Sequence, residues 1–124
     1  MSTSTNLTDD DLVLEQDATG AYIATPEPAF DYAHPGESLA EDLDALRLSI
    51  SEAARLLRVS RQTLHMILSG RQSVTPEMAL RIGKLIGNGP NLWLELQRAY
   101  DLQQAKRAMG AELERIPTMA GNAR

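Results

Sequence analysis

Five side chains close together in the sequence carry groups suited to directional hydrogen bonding and close apolar contact: Arg61, Gln62, Thr63, His65 and Met66. An arginine fork donates two parallel hydrogen bonds, which matches the O6 and N7 acceptors of guanine. A glutamine amide pairs with adenine N6 and N7, and a threonine methyl group packs on the methyl group of thymine. The same residue types are common on any solvent-exposed helix face. An ordinary solvated surface is therefore the alternative to a DNA-reading surface, and the neighbouring elements decide between the two.

The segment before these residues predicts a short helix. Ser49 and Glu52 form a capping box, in which each side chain satisfies a free backbone donor of the other residue. The apolar residues that follow recur at helical spacing and form one stripe: Ile50, Ala53, Ala54 and Leu57. A helix is therefore expected to begin at Ser49 and to bury this face.

A second short helix follows almost at once. Ser60 is a suitable N-cap, and the apolar face of the helix consists of Leu64, Ile67 and Leu68. The five side chains described first, together with Ser69, then point away from the core. Two short helices joined by so tight a turn predict a helix-turn-helix unit, whose second helix reads double-stranded DNA. The predicted base-reading residues are Arg61, Gln62, Thr63, His65 and Met66.

Charge is divided unevenly along the chain. The net charge is −5, but residues 1–46 contain eleven acidic and no basic side chains, whereas residues 47–124 contain twelve basic and six acidic ones. Release of counterions from phosphates favours binding of the basic half to DNA. The predicted contacts to the DNA backbone are Ser51, Arg58, Ser60, Ser69, Arg71, Gln72 and Ser73.

The remainder of the basic half predicts two more helices. Thr75-Pro76-Glu77 is a helix start, and Gly87-Asn88-Gly89-Pro90 ends that helix. The next helix carries an apolar surface too wide to pack on one side only, which favours a homodimer through Leu92, Trp93, Leu96 and Tyr100. The alternative is that the extra width covers a helix from Glu37 to Leu46, whose apolar stripe is Leu39, Leu43 and Leu46.

Residues 1–33 form an acidic N-terminal extension that lacks the apolar periodicity of a core. Its composition predicts disorder in isolation. Two local patterns suggest structure on a partner: a capped helix start at Thr8 that leads into Leu12–Leu14, and a short strand over residues 21–25.

Other classes of protein find little support. The chain has no cysteine, and its two histidines, His34 and His65, lack the companions of a metal or catalytic site. No phosphate-binding glycine loop, signal peptide or membrane-length apolar run is found. We expect a cytoplasmic protein that is not an enzyme, has no cofactor, metal or small-molecule ligand, and does not associate with a membrane.

Four sequence blocks between His34 and Lys106 resemble the HigA family of antitoxins, within the Xre and phage-repressor-like helix-turn-helix group. These blocks are His34-Pro35-Gly36-Glu37, Val59-Ser60-Arg61-Gln62-Thr63-Leu64, Val74 through Arg81, and Asn91-Leu92-Trp93-Leu94-Glu95-Leu96-Gln97 followed by Ala99-Tyr100-Asp101-Leu102. The resemblance implies an all-α, five-helix, DNA-binding homodimer. It also implies that the protein represses its own operon and neutralises a HigB-type toxin, a small basic ribonuclease that cleaves messenger RNA.

Two departures from the family pattern matter. The family usually has glycine where this chain has Arg58, so the geometry of the turn is open. The family pattern also does not cover the N-terminal extension. The expected domains are the acidic extension at 1–33, the DNA-binding and dimerisation domain at 34–109, and a frayed tail at 110–124.

The acidic extension is a candidate site for a basic toxin, because opposite charge would steer their association. The residues expected to bind it are Asp9, Asp10, Asp11, Leu12, Leu14, Tyr22 and Ile23. Two alternatives remain: the extension covers the basic DNA-binding face of its own chain, or it only increases solubility. A stand-alone transcriptional regulator without a toxin is the alternative to an antitoxin.

Overall fold

The computed structural model describes residues 12–16, 22–26 and 30–119. Five helices follow one another along the chain, as the sequence predicts: α1 (Pro35–Ala45), α2 (Ile50–Leu57), α3 (Arg61–Leu68), α4 (Pro76–Ile86) and α5 (Asn91–Glu114). Two strands precede them, β1 (Leu12–Gln16) and β2 (Tyr22–Pro26), and pair antiparallel with Leu14 opposite Ala24.

The chain divides into two compact units, one formed by Tyr32–Leu102 and the other by the residues on either side of that range. In the first unit, a single apolar core collects side chains from all five helices. Its most deeply buried members are Leu39, Leu64, Ile67, Ile82 and Trp93. In the second unit, Gln103 Nε2 donates to the carbonyl oxygen of Phe30 at 3.0 Å, and Arg107 pairs with Asp31 at 2.6 Å.

Local sequence signals set the helix starts. Ser49 and Glu52 make both hydrogen bonds of the predicted capping box. Ser60 accepts from the backbone N–H of Thr63, and Thr75 accepts from that of Met78 ahead of the proline that opens α4. Gly87 ends α4 in the left-handed conformation, with φ 94°. Each of these boundaries is predicted correctly because it depends on neighbours within a few residues.

Three expectations about the helices and the extension are wrong. Leu46 lies outside the buried stripe of α1 and is 52% exposed, because the helix ends at Ala45. Leu12–Leu14 belong to a strand instead of a helix, since they pair antiparallel with residues 24–26. The last helix continues past Gly110 to Glu114, so the predicted fraying at that point is also wrong.

Gly36 allows the first turn of α1 to approach the backbone of α3 closely. A Cβ atom at this position would collide with the carbonyl oxygen of Ile67, a main-chain atom that cannot rotate away. Ile67 itself is fully buried in the core. The glycine therefore determines how closely the start of α1 packs on α3.

We predict that Gly36→Ala lowers the free energy of unfolding by about 2–3 kcal/mol, because α1 must move away from α3. Gly110→Ala is the matched control, since it is also helical but a Cβ there meets nothing within 4 Å. The control should stabilise slightly through helix propensity. Urea denaturation followed by circular dichroism measures both, and equal stability of the two variants would contradict the close packing.

Candidate nucleic-acid interface

The turn between α2 and α3 consists of Arg58, Val59 and Ser60. Arg58 adopts the left-handed conformation, with φ 63° and ψ 42°. The chain thus makes the turn for which the family uses glycine, at a cost of about 1 kcal/mol of backbone strain. The sequence leaves the geometry of this turn open, and the structure shows that it is left-handed at Arg58.

Arg81 on α4 holds this turn from the core side. Its Nη1 atom donates to the carbonyl oxygen of Leu57 at 2.8 Å and to that of Arg58 at 3.3 Å. These are carbonyls at the C-terminal end of α2, where a positive charge is favourable. Arg81 is thus engaged with the protein backbone. The sequence did not single out this role, because the partners are 24 and 23 residues away.

The outer face of α3 is polar. Arg61, Gln62, His65 and Ser69 are exposed, whereas Leu64 and Ile67 on the opposite face are fully buried. Thr63 and Met66 are half-buried at the edges of the face, and the Thr63 hydroxyl oxygen accepts from that of Ser60 at 2.8 Å. The structure therefore brings the five predicted base-reading residues onto one short helix, with the first two exposed.

Arg61 is oriented by the preceding helix. Its Nε atom donates to Ser51 Oγ, on α2, at 3.1 Å. This bond uses the inner nitrogen of the guanidinium group, so the two outer nitrogens are not its donors. The outer pair is the fork that recognises guanine O6 and N7. An oriented arginine loses less side-chain entropy on binding than a free one.

The segment Arg71–Ser73, directly after α3, is exposed and lies beside the end of the helix. The backbone N–H groups of Arg71 and Gln72 both donate to the carbonyl oxygen of Met66, at 2.9 and 3.2 Å. These bonds involve only the backbone, and the side chains of all three residues are exposed to solvent. The other predicted backbone contacts, Ser51, Arg58, Ser60 and Ser69, are exposed as well.

The charge around this face is positive. Between Arg47 and Ile86 the chain carries seven basic and two acidic side chains, and one of the two, Glu52, is engaged in the capping box. Such a surface attracts a polyanion at long range. Within the described residues, no group of three or more His, Asp or Glu side chains is placed to hold a metal ion. Among the described helices, none is long and apolar enough to span a bilayer.

The residues expected at a dimer interface separate into two groups. Leu92 is 47% exposed, and Leu96 and Tyr100 are half-buried, so parts of all three are accessible. Trp93 is only 1% exposed, and its indole Nε1 donates to Asn88 Oδ1 at 2.9 Å. Its assignment to the interface is wrong: the ring fills the core of its own chain. The sequence could not distinguish these roles, because the apolar surface of α5 is nearly continuous.

A pair of short helices with a left-handed turn, an exposed polar second helix and a basic surround defines a helix-turn-helix protein. A family profile described as "Helix-turn-helix" matches residues 39–93. An uncharacterized HTH-type transcriptional regulator of Escherichia coli, YddM, is 35% identical over 89 residues, which cover 71% of this chain and 95% of YddM. The chain belongs to the Xre-type helix-turn-helix proteins.

Solved structures agree in fold. An addiction module antidote protein of the HigA family from Coxiella burnetii is 37% identical, with a TM-score of 0.68, over 73% of this chain and 99% of that protein. The antitoxin HigA of Pseudomonas aeruginosa, solved with the higBA promoter, is 31% identical with a TM-score of 0.67, over 72% of this chain and 98% of that protein. Within the Xre-type proteins, the chain therefore belongs to the HigA family of antitoxins.

His34 joins several parts of the domain. Its Nδ1 atom accepts from the backbone N–H of Gly36 at 2.9 Å and thereby caps α1, and its ring packs edge-on against Tyr100 with centroids 5.2 Å apart. Burial lowers the pKa of His34, against the opposing effects of Asp101, of the Gln72 backbone and of Glu37. The capping bond requires a neutral Nδ1, so it is present only in the unprotonated ring.

We predict that the fold loses stability as the pH falls below about 6.5, because the unfolded chain takes up a proton on His34 before the folded chain does. The effect is complete once the pH is below the lowered folded pKa. His34→Asn keeps a capping oxygen and removes the titration. Thermal unfolding between pH 5 and 8 measures the difference, with His65→Asn as the control. A parent-like pH dependence in His34→Asn would contradict this assignment.

Proposed function

We propose that this protein binds operator DNA by placing α3 in the major groove, represses its own operon as a homodimer, and neutralises a small basic ribonuclease toxin. One observation carries the DNA-binding part: the polar face of α3 is exposed, and Arg61 is held by Ser51 with its outer nitrogens free of that bond. The Pseudomonas aeruginosa HigA that was solved with promoter DNA shares this fold and supports DNA binding by this chain.

In this proposal the residues of the interface have two kinds of role. Arg61 and Gln62, in the first turn of α3, read base edges with Thr63, His65 and Met66, because the start of a recognition helix enters the groove most deeply. The exposed hydroxyl, amide and guanidinium groups around them contact phosphates: Ser51, Arg58, Ser60, Ser69, Arg71, Gln72 and Ser73. The phosphate contacts fix the register, and the base contacts give specificity.

Dimerisation is proposed through α5. Leu92, Leu96 and Tyr100 present accessible apolar area on this helix, and two copies of α3 are needed to read two half-sites. Trp93 is excluded from the proposed interface because it is buried within its own chain. A two-fold arrangement of this kind predicts an operator with inverted repeats.

Toxin neutralisation is proposed through the acidic extension. Asp9, Asp10 and Asp11 lie outside the described residues. Leu12 and Leu14 lie in β1, and Tyr22 and Ile23 lie in β2. The extension contains no lysine or arginine, which suits a basic RNA-binding partner. Masking of the chain's own DNA-binding face by the extension and simple solubilisation are the competing roles.

A stand-alone transcriptional regulator is the second candidate function. It is supported by the match to YddM, which is described only as a transcriptional regulator and is covered almost in full. The presence of a toxin gene and its product distinguishes the two functions. An antitoxin should be encoded beside a reading frame for a basic protein of about a hundred residues, and should co-purify with that protein when both are expressed.

We predict that Arg61→Ala and Gln62→Ala each weaken operator binding by about 1–3 kcal/mol and relax the preference at one base pair. Arg71→Ala should weaken binding to all sequences alike and reduce its salt dependence. Quantitative footprinting on the DNA upstream of the chain's own gene separates the two patterns. Arg115→Ala, exposed just after α5 and outside this basic region, is the control. Loss of the base preference in the Arg71 variant alone would contradict the assignment of roles.

We predict that the triple substitution of Asp9, Asp10 and Asp11 by Asn slows association with the toxin several-fold at low salt, because the steering charge is reduced. The matched control neutralises three exposed acids of the helices: Glu41, Asp44 and Glu114. Stopped-flow association measures both. Unchanged association would discard the toxin role, and tighter DNA binding by the first variant at low salt would favour masking of the DNA-binding face.

A further inference from the structure

A buried amide on α5 holds the segment that follows the recognition helix. Gln97 is 5% exposed, and its Oε1 atom accepts from the backbone N–H of Val74 at 2.7 Å. Its Nε2 atom donates to Asp101 Oδ1, one turn further along α5, at 2.9 Å. The amide therefore has one hydrogen bond to the segment and another that fixes its own orientation.

The bond to Val74 fixes the far end of the exposed segment Arg71–Ser73. The near end is fixed by the carbonyl oxygen of Met66, which accepts from the backbone N–H groups of Arg71 and Gln72. The intervening residues belong to no helix or strand, so these bonds at the two ends limit where the backbone lies. Val74 is itself buried in the core, which adds packing to the hydrogen bond.

His34 supports the same segment from α1. Its ring lies against Gly70, where an added Cβ would be 3.7 Å from the imidazole, and it interacts with the backbone of Gln72. Tyr100, on the same helix as Gln97, packs edge-on against this ring. Two residues of α5 thus act on the segment, one directly and one through His34.

We propose that Gln97 is a positioning residue for the phosphate contacts of Arg71, Gln72 and Ser73, although its own side chain is buried away from the DNA-binding surface. The inference rests on the proposed DNA-binding function and goes beyond it, because it makes phosphate affinity depend on one side chain of α5. A phosphate contact requires donors placed within hydrogen-bonding distance, and a segment free to move at one end loses that placement.

An amide is the group that this position needs. A methionine of similar length fills the space but leaves the Val74 N–H without its partner. A glutamate alone accepts from Val74 but places a second carboxylate beside Asp101, where like charges repel. In the pair Gln97→Glu with Asp101→Asn, the Val74 N–H again donates to position 97. The bond between positions 97 and 101 re-forms with donor and acceptor exchanged, and the net charge is unchanged.

The test measures binding of the full chain to a mixed-sequence duplex of about 30 base pairs over a range of salt concentrations, since phosphate contacts are independent of sequence. We expect Gln97→Met to weaken binding about tenfold and to lower the slope of log affinity against log salt by about one to two. Gln104→Met, on an exposed position of α5, is the matched control and should retain the parent values.

The double variant Gln97→Glu/Asp101→Asn should recover most of the lost slope. Hydrogen exchange at the Val74 amide tests the Val74–Gln97 hydrogen bond separately from DNA binding. We expect this exchange to be faster in Gln97→Met and slow again in the double variant. An unchanged salt slope in a folded Gln97→Met chain, or a double variant as weak as Gln97→Met, would overturn the inference. Absence of salt-dependent binding by the parent chain would instead overturn the proposed function on which it rests.

Discussion

The left-handed turn at Arg58, held by the guanidinium group of Arg81, is the constraint on which the DNA-binding surface depends. Because only three residues separate α2 from α3, the two helices must cross steeply, and α3 can bury only one of its faces. Leu64 and Ile67 take the buried face, which leaves Arg61 and Gln62 outside. An arginine in place of glycine makes the turn more strained, and the two hydrogen bonds from Arg81 oppose that strain.

Three hydrogen bonds order the DNA-binding surface before DNA binds. Ser51 orients Arg61 from α2, the capping hydroxyl of Ser60 contacts Thr63, and Gln97 holds the residues beyond α3. Each of these is a short polar contact between neighbouring elements. The described residues contain no buried side-chain nitrogen or oxygen without a hydrogen-bond partner. A surface ordered in advance in this way loses less entropy when it meets a rigid duplex.

The parts of the structure that the sequence predicts are those that depend on near neighbours. Ser49 with Glu52, Ser60, and Thr75 before Pro76 place three helix starts correctly because a cap is read within one turn of helix. Trp93 was misassigned because whether an apolar side chain faces its own core or a partner depends on residues far away in the chain. Gln97 and Arg81 were missed for the same reason, since their partners are 23 and 24 residues away. The sequence predicts a helix start before Leu12–Leu14, but these residues form a strand. Their conformation depends on pairing with a strand that begins only at Tyr22.

The central claim is that α3 and the segment after it form the surface that meets DNA. The most direct measurement is an NMR titration of the isotope-labelled full chain with duplex DNA from its own promoter. We expect the amide signals of Arg61–Ser73 to change most and those of residues 103–114 of α5 to change little. Large changes confined to α5 or to the acidic extension, with α3 unaffected, would contradict it.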